Sequence, residues 1–214
     1  MIFASACAHT PAPTSSDRST SQDGEVLQQL REGNIRFTSH QRIHPNQQPL
    51  RRQELTKGQA PGAIVVSCSD SRVPPEFVFD QGLGDIFSIR TAGHAVDAFA
   101  LASVEYAIEH LDAKVIVVMG HTSCGAIKAT MASVPGESTG SRNIDLLVAS
   151  IRPGLKHLDR KDKTLRADAI DNVEATRVAL ERGSPFIHAA VEKGKVRIVA
   201  ALYDLDSGDV ELWE

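Results

Sequence analysis

The sequence predicts an α/β fold: a mainly parallel central β-sheet flanked by helices. Three observations lead there. Ala63-Ile64-Val65-Val66 and Val115-Ile116-Val117-Val118-Met119 are short apolar runs without polar alternation, the pattern of strands covered on both faces. Stretches with apolar residues at helical spacing alternate with them. Each run also leads directly into a cluster of residues with ligand chemistry, and open α/β sheets build their sites at the carboxyl ends of strands.

The elements follow in order. Asp23 is the expected N-cap of a helix over 25–38, in which Val26, Leu27, Leu30 and Phe37 form an apolar stripe. Pro45 and Pro49 interrupt the chain before a short helix over 50–57. The first strand covers 63–67 and ends at Cys68; the second covers 86–90 and is closed by Thr91-Ala92-Gly93. Asp97 caps a helix over 98–111 that carries Leu101, Val104, Ile108 and Leu111 on one side. The third strand is 115–119, with Gly120 expected to turn the chain and present His121, and a helix begins near Ser123. Residues 135–140 read as a loop, 143–158 and 162–183 as helices, and 196–203 and 210–213 as late strands around the turn Asp206-Ser207-Gly208.

With 42% hydrophobic and 23% charged residues, the chain is ordinary in composition and long enough for one domain with a real core, expected over 25–214. A net charge of -4 gives no case for a nucleic-acid or anionic-membrane partner, and no apolar run reaches the ~18 residues of a membrane span. Three cysteines argue against a disulfide framework, and the separation of Cys68 from Cys124 fits a metal site better. Residues 1–24, rich in Ser, Thr, Pro and Ala, are expected to form a disordered arm. Within it, Ala4-Ser5-Ala6-Cys7 looks like the end of a bacterial lipoprotein signal, but Met1-Ile2-Phe3 supplies neither basic stretch nor apolar core. The sequence as given is therefore expected to be cytoplasmic, and exported or lipid-anchored if the true start lies upstream of Met1.

The chemistry is concentrated in Cys68-Ser69-Asp70-Ser71-Arg72 and Gly120-His121-Thr122-Ser123-Cys124-Gly125. Two thiolates and an imidazole suit a tetrahedral zinc, and three protein ligands leave a fourth position open, as in catalytic sites. Either cluster alone would pass for a core cysteine or a turn histidine; it is the matching placement at two strand ends that favours the metal. Two thiolates cancel the zinc charge, so bound water is acidified less than at a three-histidine site and neighbouring groups must help. Asp70 can direct the nucleophile, and Arg72 can hold Asp70 back from the metal by a bidentate pair; the alternative is a structural ion pair beside a turn.

These motifs, extended by Val73-Pro74 and by Leu30-Arg31-Glu32-Gly33-Asn34-Ile35-Arg36-Phe37, resemble the β-class carbonic anhydrases over roughly residues 26–213. The resemblance implies one Zn²⁺ per chain on Cys68, His121 and Cys124, and an Asp70–Arg72 catalytic dyad. It also implies attack of zinc-bound hydroxide on CO₂ to give bicarbonate. One subgroup carries Trp three residues before the first Cys and uses it with an Arg and a Tyr in an inhibitory bicarbonate pocket; here Val65 replaces the Trp, although Arg90 and Tyr203 match the others. The plant-like subgroup is matched by Gln59, Phe87 and Tyr106, which with Gly125 would form the substrate site. An open site with Asp70 on Arg72 is therefore expected. Members form homodimers, often paired further into dimers of dimers, with pockets built across the interface. His94 stands where many members carry Asn; it is read as a proton shuttle or a surface turn residue, outside the catalytic set.

Three rivals remain. Hydrolysis of carbonyl sulfide or carbon disulfide uses the same ligands and dyad in relatives. A non-catalytic zinc module would take Asp70 as its fourth ligand, against which Arg72 argues. A nucleotide-binding domain fails because Gly82-Leu83-Gly84-Asp85 makes no phosphate loop.

Overall fold

The computed structural model describes residues 15–156 and 165–214. A five-stranded sheet runs in the order β2-β1-β3-β4-β5, with β1 Ala63–Cys68, β2 Ile86–Thr91, β3 Val115–His121, β4 Arg197–Tyr203 and β5 Val210–Trp213. The first four strands in this order are parallel, and only β5 is antiparallel, closing a hairpin on β4. The α/β expectation is met.

Every residue of β1 and of β3 is buried, and successive side chains serve opposite faces. Val65, Val117, Met119 and Val199 share one core with Leu27, Leu30, Phe79 and Ile127; Ile64, Val66, Ile116 and Val118 share the other with Val104, Ile108, Leu180 and Ile187. Burying one such aliphatic side chain stabilises by about 1.5–3 kcal/mol, so the adjacent strands β1 and β3 are firmly held where Cys68 and His121 emerge.

The helices are α1 Ser15–Thr38, α2 Pro49–Leu55, α3 Pro75–Val78, α4 Ala98–His110, α5 Gly125–Ala132, α6 Arg142–Ile151, α7 Arg166–Gly183 and α8 Pro185–Glu192. Asp97 caps α4 as expected, its carboxylate accepting from the N–H groups of Phe99 and Ala100. Asp23 does not cap α1: the helix starts earlier, so the arm expected over 1–24 is helical from residue 15, while 1–14 lie outside the described residues. The helix expected over 143–158 stops at Ile151 and passes into a 3₁₀ turn at Arg152–Gly154, because Pro153 brings no N–H to continue it. The beginning of the helix expected over 162–183 falls partly outside the described residues, and α7 starts at Arg166. Helices α3 and α8 were not anticipated.

The register of α1 is set by close packing on α3. A Cβ at Gly33 would stand 1.7 Å from the Phe79 carbonyl oxygen, so only glycine lets the helix approach. Next to it, the buried Asn34 donates to the carbonyls of Val78 and Gly208 and accepts from the Val210 N–H.

Among the described residues no helix is long and apolar enough to cross a membrane.

Candidate metal centre

Cys68 ends β1 and His121 ends β3, and these two strands are hydrogen-bonded neighbours. Gly120 does not turn the chain, as the sequence suggested; it is the penultimate residue of β3, glycine because a Cβ there would meet Val173 Cγ2 at 2.5 Å. The turn comes at Ser123, in the left-handed region at φ 56°, and it brings Cys124 back as the N-cap residue of α5.

The result is one cluster. Ligand atoms of Cys68, His121 and Cys124 all lie within 4.8 Å of one another, and all three residues are buried. Zn–S bonds of about 2.3 Å and Zn–N bonds of about 2.0–2.1 Å place donors on the order of 3.5–4 Å apart, so the group closes on an ion with small shifts. His121 Nδ1 faces the Thr122 carbonyl at 2.9 Å; a carbonyl only accepts, so Nδ1 carries the proton and the Nε2 lone pair is free. That Nε2 is fully buried with no hydrogen-bond partner, an orphan that a cation would satisfy. The thiols point the same way. Cys68 is drawn well below an ordinary thiol, chiefly by the Cys124 thiol beside it and then by His121 and the Asp70 and Gly93 N–H groups, while burial opposes. Cys124 is pushed far up by the neighbouring Cys68 sulfur and by burial. Without a cation the pair thus holds one thiolate beside one thiol; only a cation between them would let both ionise.

Asp70 is fixed at the rim. Arg72 Nε and Nη2 donate to its Oδ1 and Oδ2 at 2.9 and 2.7 Å, and the Arg72 N–H donates to Oδ1 at 3.0 Å. Those hydrogen bonds from Arg72 hold the Asp70 carboxyl well below the usual carboxylate range, against a smaller burial effect. Oδ2 also lies 3.9 Å from His121 Nε2, so the carboxylate faces the cluster without joining it. The main chain beneath is anchored by Arg90, which donates to the Cys68 and Asp70 carbonyls at 3.1 and 2.6 Å.

The remaining candidates divide. Gly125 opens α5 immediately after Cys124, with open space where a Cβ would be. Gln59, Phe87 and Tyr106 are not at the cluster. Phe87 pairs with Ile64 near the start of β1, whereas Cys68 pairs with Thr91. Tyr106, on the late part of α4, is half exposed and has its ring centroid 6.4 Å from that of Phe87. Gln59 precedes β1 and lines a surface groove with Leu55, Leu83 and Gly84.

His94 is not a surface turn residue. It is 1% exposed, and burial pushes its imidazole down to about 4. The residues that the sequence reading missed are those supporting the ligands: Arg90 as a main-chain anchor, Gly93 as a donor to Cys68, and Asn172 and Thr176 behind them. A signal for the last two existed, since Asp168, Asn172 and Thr176 recur every four residues on the buried face of α7.

A family model described as carbonic anhydrase matches residues 63–210. The chain belongs to the β-carbonic anhydrase family. It is 42% identical to a carbonic anhydrase of Mycolicibacterium smegmatis, over 86% of this chain and 89% of that protein. It is 39% identical to carbonic anhydrase 2 of Mycobacterium tuberculosis, over 84% and 87%. Among solved structures, the Coccomyxa β-carbonic anhydrase in complex with acetazolamide superposes with a TM-score of 0.64 at 28% identity, covering 74% of each chain. A tetrameric β-carbonic anhydrase from Sordaria macrospora shares the fold with a TM-score of 0.67 at 23% identity, over 91% of this chain and 94% of that one. Both motifs of the β-carbonic anhydrase site lie inside the matched segment.

Proposed function

We propose that this chain catalyses the reversible hydration of CO₂ to bicarbonate and a proton, with one Zn²⁺ held by Cys68, His121 and Cys124. The observation that carries the reading is the bidentate Arg72–Asp70 pair beside a buried Cys-His-Cys cluster whose His121 Nε2 has no partner. Zinc supplies the Lewis acidity that lets a water ionise near neutral pH. The residues do the rest. Asp70 accepts a hydrogen bond from the nucleophile's remaining proton and so aims its lone pair at the carbon of CO₂. Arg72 occupies both carboxylate oxygens and keeps Asp70 from becoming a fourth ligand. The proton released in each cycle passes to buffer.

Because Gln59, Phe87 and Tyr106 lie at the amino ends of the strands, they reach a CO₂ pocket only if a second copy presents them. A homodimer fits that requirement: β2 is the edge of the sheet, and Phe99, Phe77 and Leu50 are large apolar side chains left exposed. Pairing of such dimers would follow the tetrameric Sordaria relative. Asp70 on Arg72 supports the open, plant-like site near neutral pH.

Stopped-flow CO₂ hydration on zinc-loaded protein, with Asp70→Asn alongside, tests the reading. Rapid hydration that falls ~100-fold or more in the variant at unchanged zinc content is expected. No hydration at full zinc content would overturn it, and sulfide release from carbonyl sulfide under those conditions would favour the sulfur-substrate reading.

A further inference from the structure

His94 and its partners form a connected buried network that ends on a ligand sulfur. Gly93 and His94 both lie in the left-handed region, at φ 59° and 47°, a conformation that a histidine keeps only where its surroundings enforce it. The Gly93 N–H donates to Cys68 Sγ at 3.3 Å. Behind it, α7 supplies two polar side chains. His94 Nδ1 is 3.0 Å from Thr176 Oγ1, and Nε2 is 3.3 Å from Asn172 Nδ2. An amide nitrogen only donates, so Nε2 accepts and Nδ1–H donates to Thr176: the partners select a neutral tautomer. The same Asn172 nitrogen donates to the Gly93 carbonyl at 3.0 Å. The imidazole also lies close against β3, since a Cβ on Gly120 would stand 3.2 Å from His94 Nε2.

We propose that His94 is a positioning residue for the Cys68 sulfur: held by Asn172 and Thr176, it locks the left-handed turn that aims the Gly93 N–H at Cys68 Sγ and so sets the grip of Cys68 on the metal. The assignment rests on the zinc reading above. Partners of this kind around a ligand orient it and tune its donor strength, and their loss costs about 10–100-fold in metal affinity.

The test is zinc retention against a chromogenic chelator, together with the sulfur-to-cobalt charge-transfer band of the Co²⁺-substituted protein. His94→Leu and Asn172→Ala should each weaken zinc retention by about 10-fold or more and shift the cobalt band. His94→Gln, which keeps an acceptor and a donor, should recover part of both. If His94→Leu does not fold, Thr176→Val carries the same two readouts, since it removes only the hydroxyl that fixes the tautomer. Parent-like affinity in the folded variants overturns the proposal, whatever their melting temperature. An affinity loss with an unmoved cobalt band overturns it too, because general loosening would suffice. A parent protein that takes up no zinc defeats the zinc reading instead, so the two failures are distinguishable.

Discussion

The two ends of the same strands differ in completeness. At the carboxyl ends, one chain assembles three ligand atoms, a carboxylate held by an arginine, and main-chain donors to sulfur. At the amino ends lie Gln59, Phe87 and Tyr106; Phe87 is four strand positions from Cys68 by the β1–β2 register, or roughly 13 Å at ~3.3 Å per residue. The first end is self-sufficient because β1 and β3 are adjacent and wholly buried. The second holds an exposed Gln59 and a half-exposed Tyr106 beside the partly buried Phe87, away from the cluster of its own chain. On the homodimer proposed above, the metal site is encoded within a chain and the pocket that feeds it between chains.

The comparison breaks most sharply at the ligands. Cys68→Ser or Cys124→Ser should abolish zinc binding and reduce hydration to the uncatalysed rate, as metal analysis and stopped flow would show; retained activity would remove the carboxyl end from the chemistry altogether. Asp70→Asn is the next largest effect and should leave zinc in place. Gln59→Ala should cost about 10-fold in hydration at full zinc content. Mixing it with Cys68→Ser then sharpens the contrast. In a hybrid dimer, one site draws Cys68 from the first chain and Gln59 from the second, so activity on mixing should rise well above the average of the two variants; if Gln59 acts within its own chain, no mixture exceeds that average.

The smallest effect concerns His94. Its folded value of about 4 lies below the ordinary 6.5, so between those pH values the unfolded chain binds the proton that the folded chain refuses. Stability from this group is complete above about 6.5 and declines as pH falls toward 4, by at most about 3 kcal/mol. The urea midpoint of metal-free protein should therefore drop more between pH 7.5 and 5 for the parent than for His94→Gln; equal slopes would deny a buried neutral imidazole.

Much of this was legible because it is local. An apolar run followed at once by Cys68, or by His121 and Cys124, places the ligands without knowledge of the rest. Asp97 reads as a cap and is one. What failed was depth and context. Gly120 looks like a turn residue, yet it is a strand residue thinned to admit Val173. Asp23 precedes an apolar stripe but sits inside a helix that had already begun. His94 stands among loop residues in sequence, and only the packing of α7 against the 3₁₀ turn Ala92–His94 shows that it is buried. Ser184-Pro185 was a readable start for α8, with Ser184 Oγ accepting from the Ile187 N–H and Pro185 at the first helical position.

Asn34 has a consequence for how the molecule is made. Its side chain joins α1 to Gly208 and Val210, residues 174 and 176 positions further along. On a ribosome, α1 and α3 emerge long before that hairpin exists, so Leu27 and Leu30 can meet Phe79 early, while the Asn34 side chain lacks two of its three partners until nearly the whole chain has been synthesised. Locking α1 to the end of the sheet is therefore a late event in biogenesis, and until then Asn34 offers its unpaired amide to chaperones and to neighbouring chains.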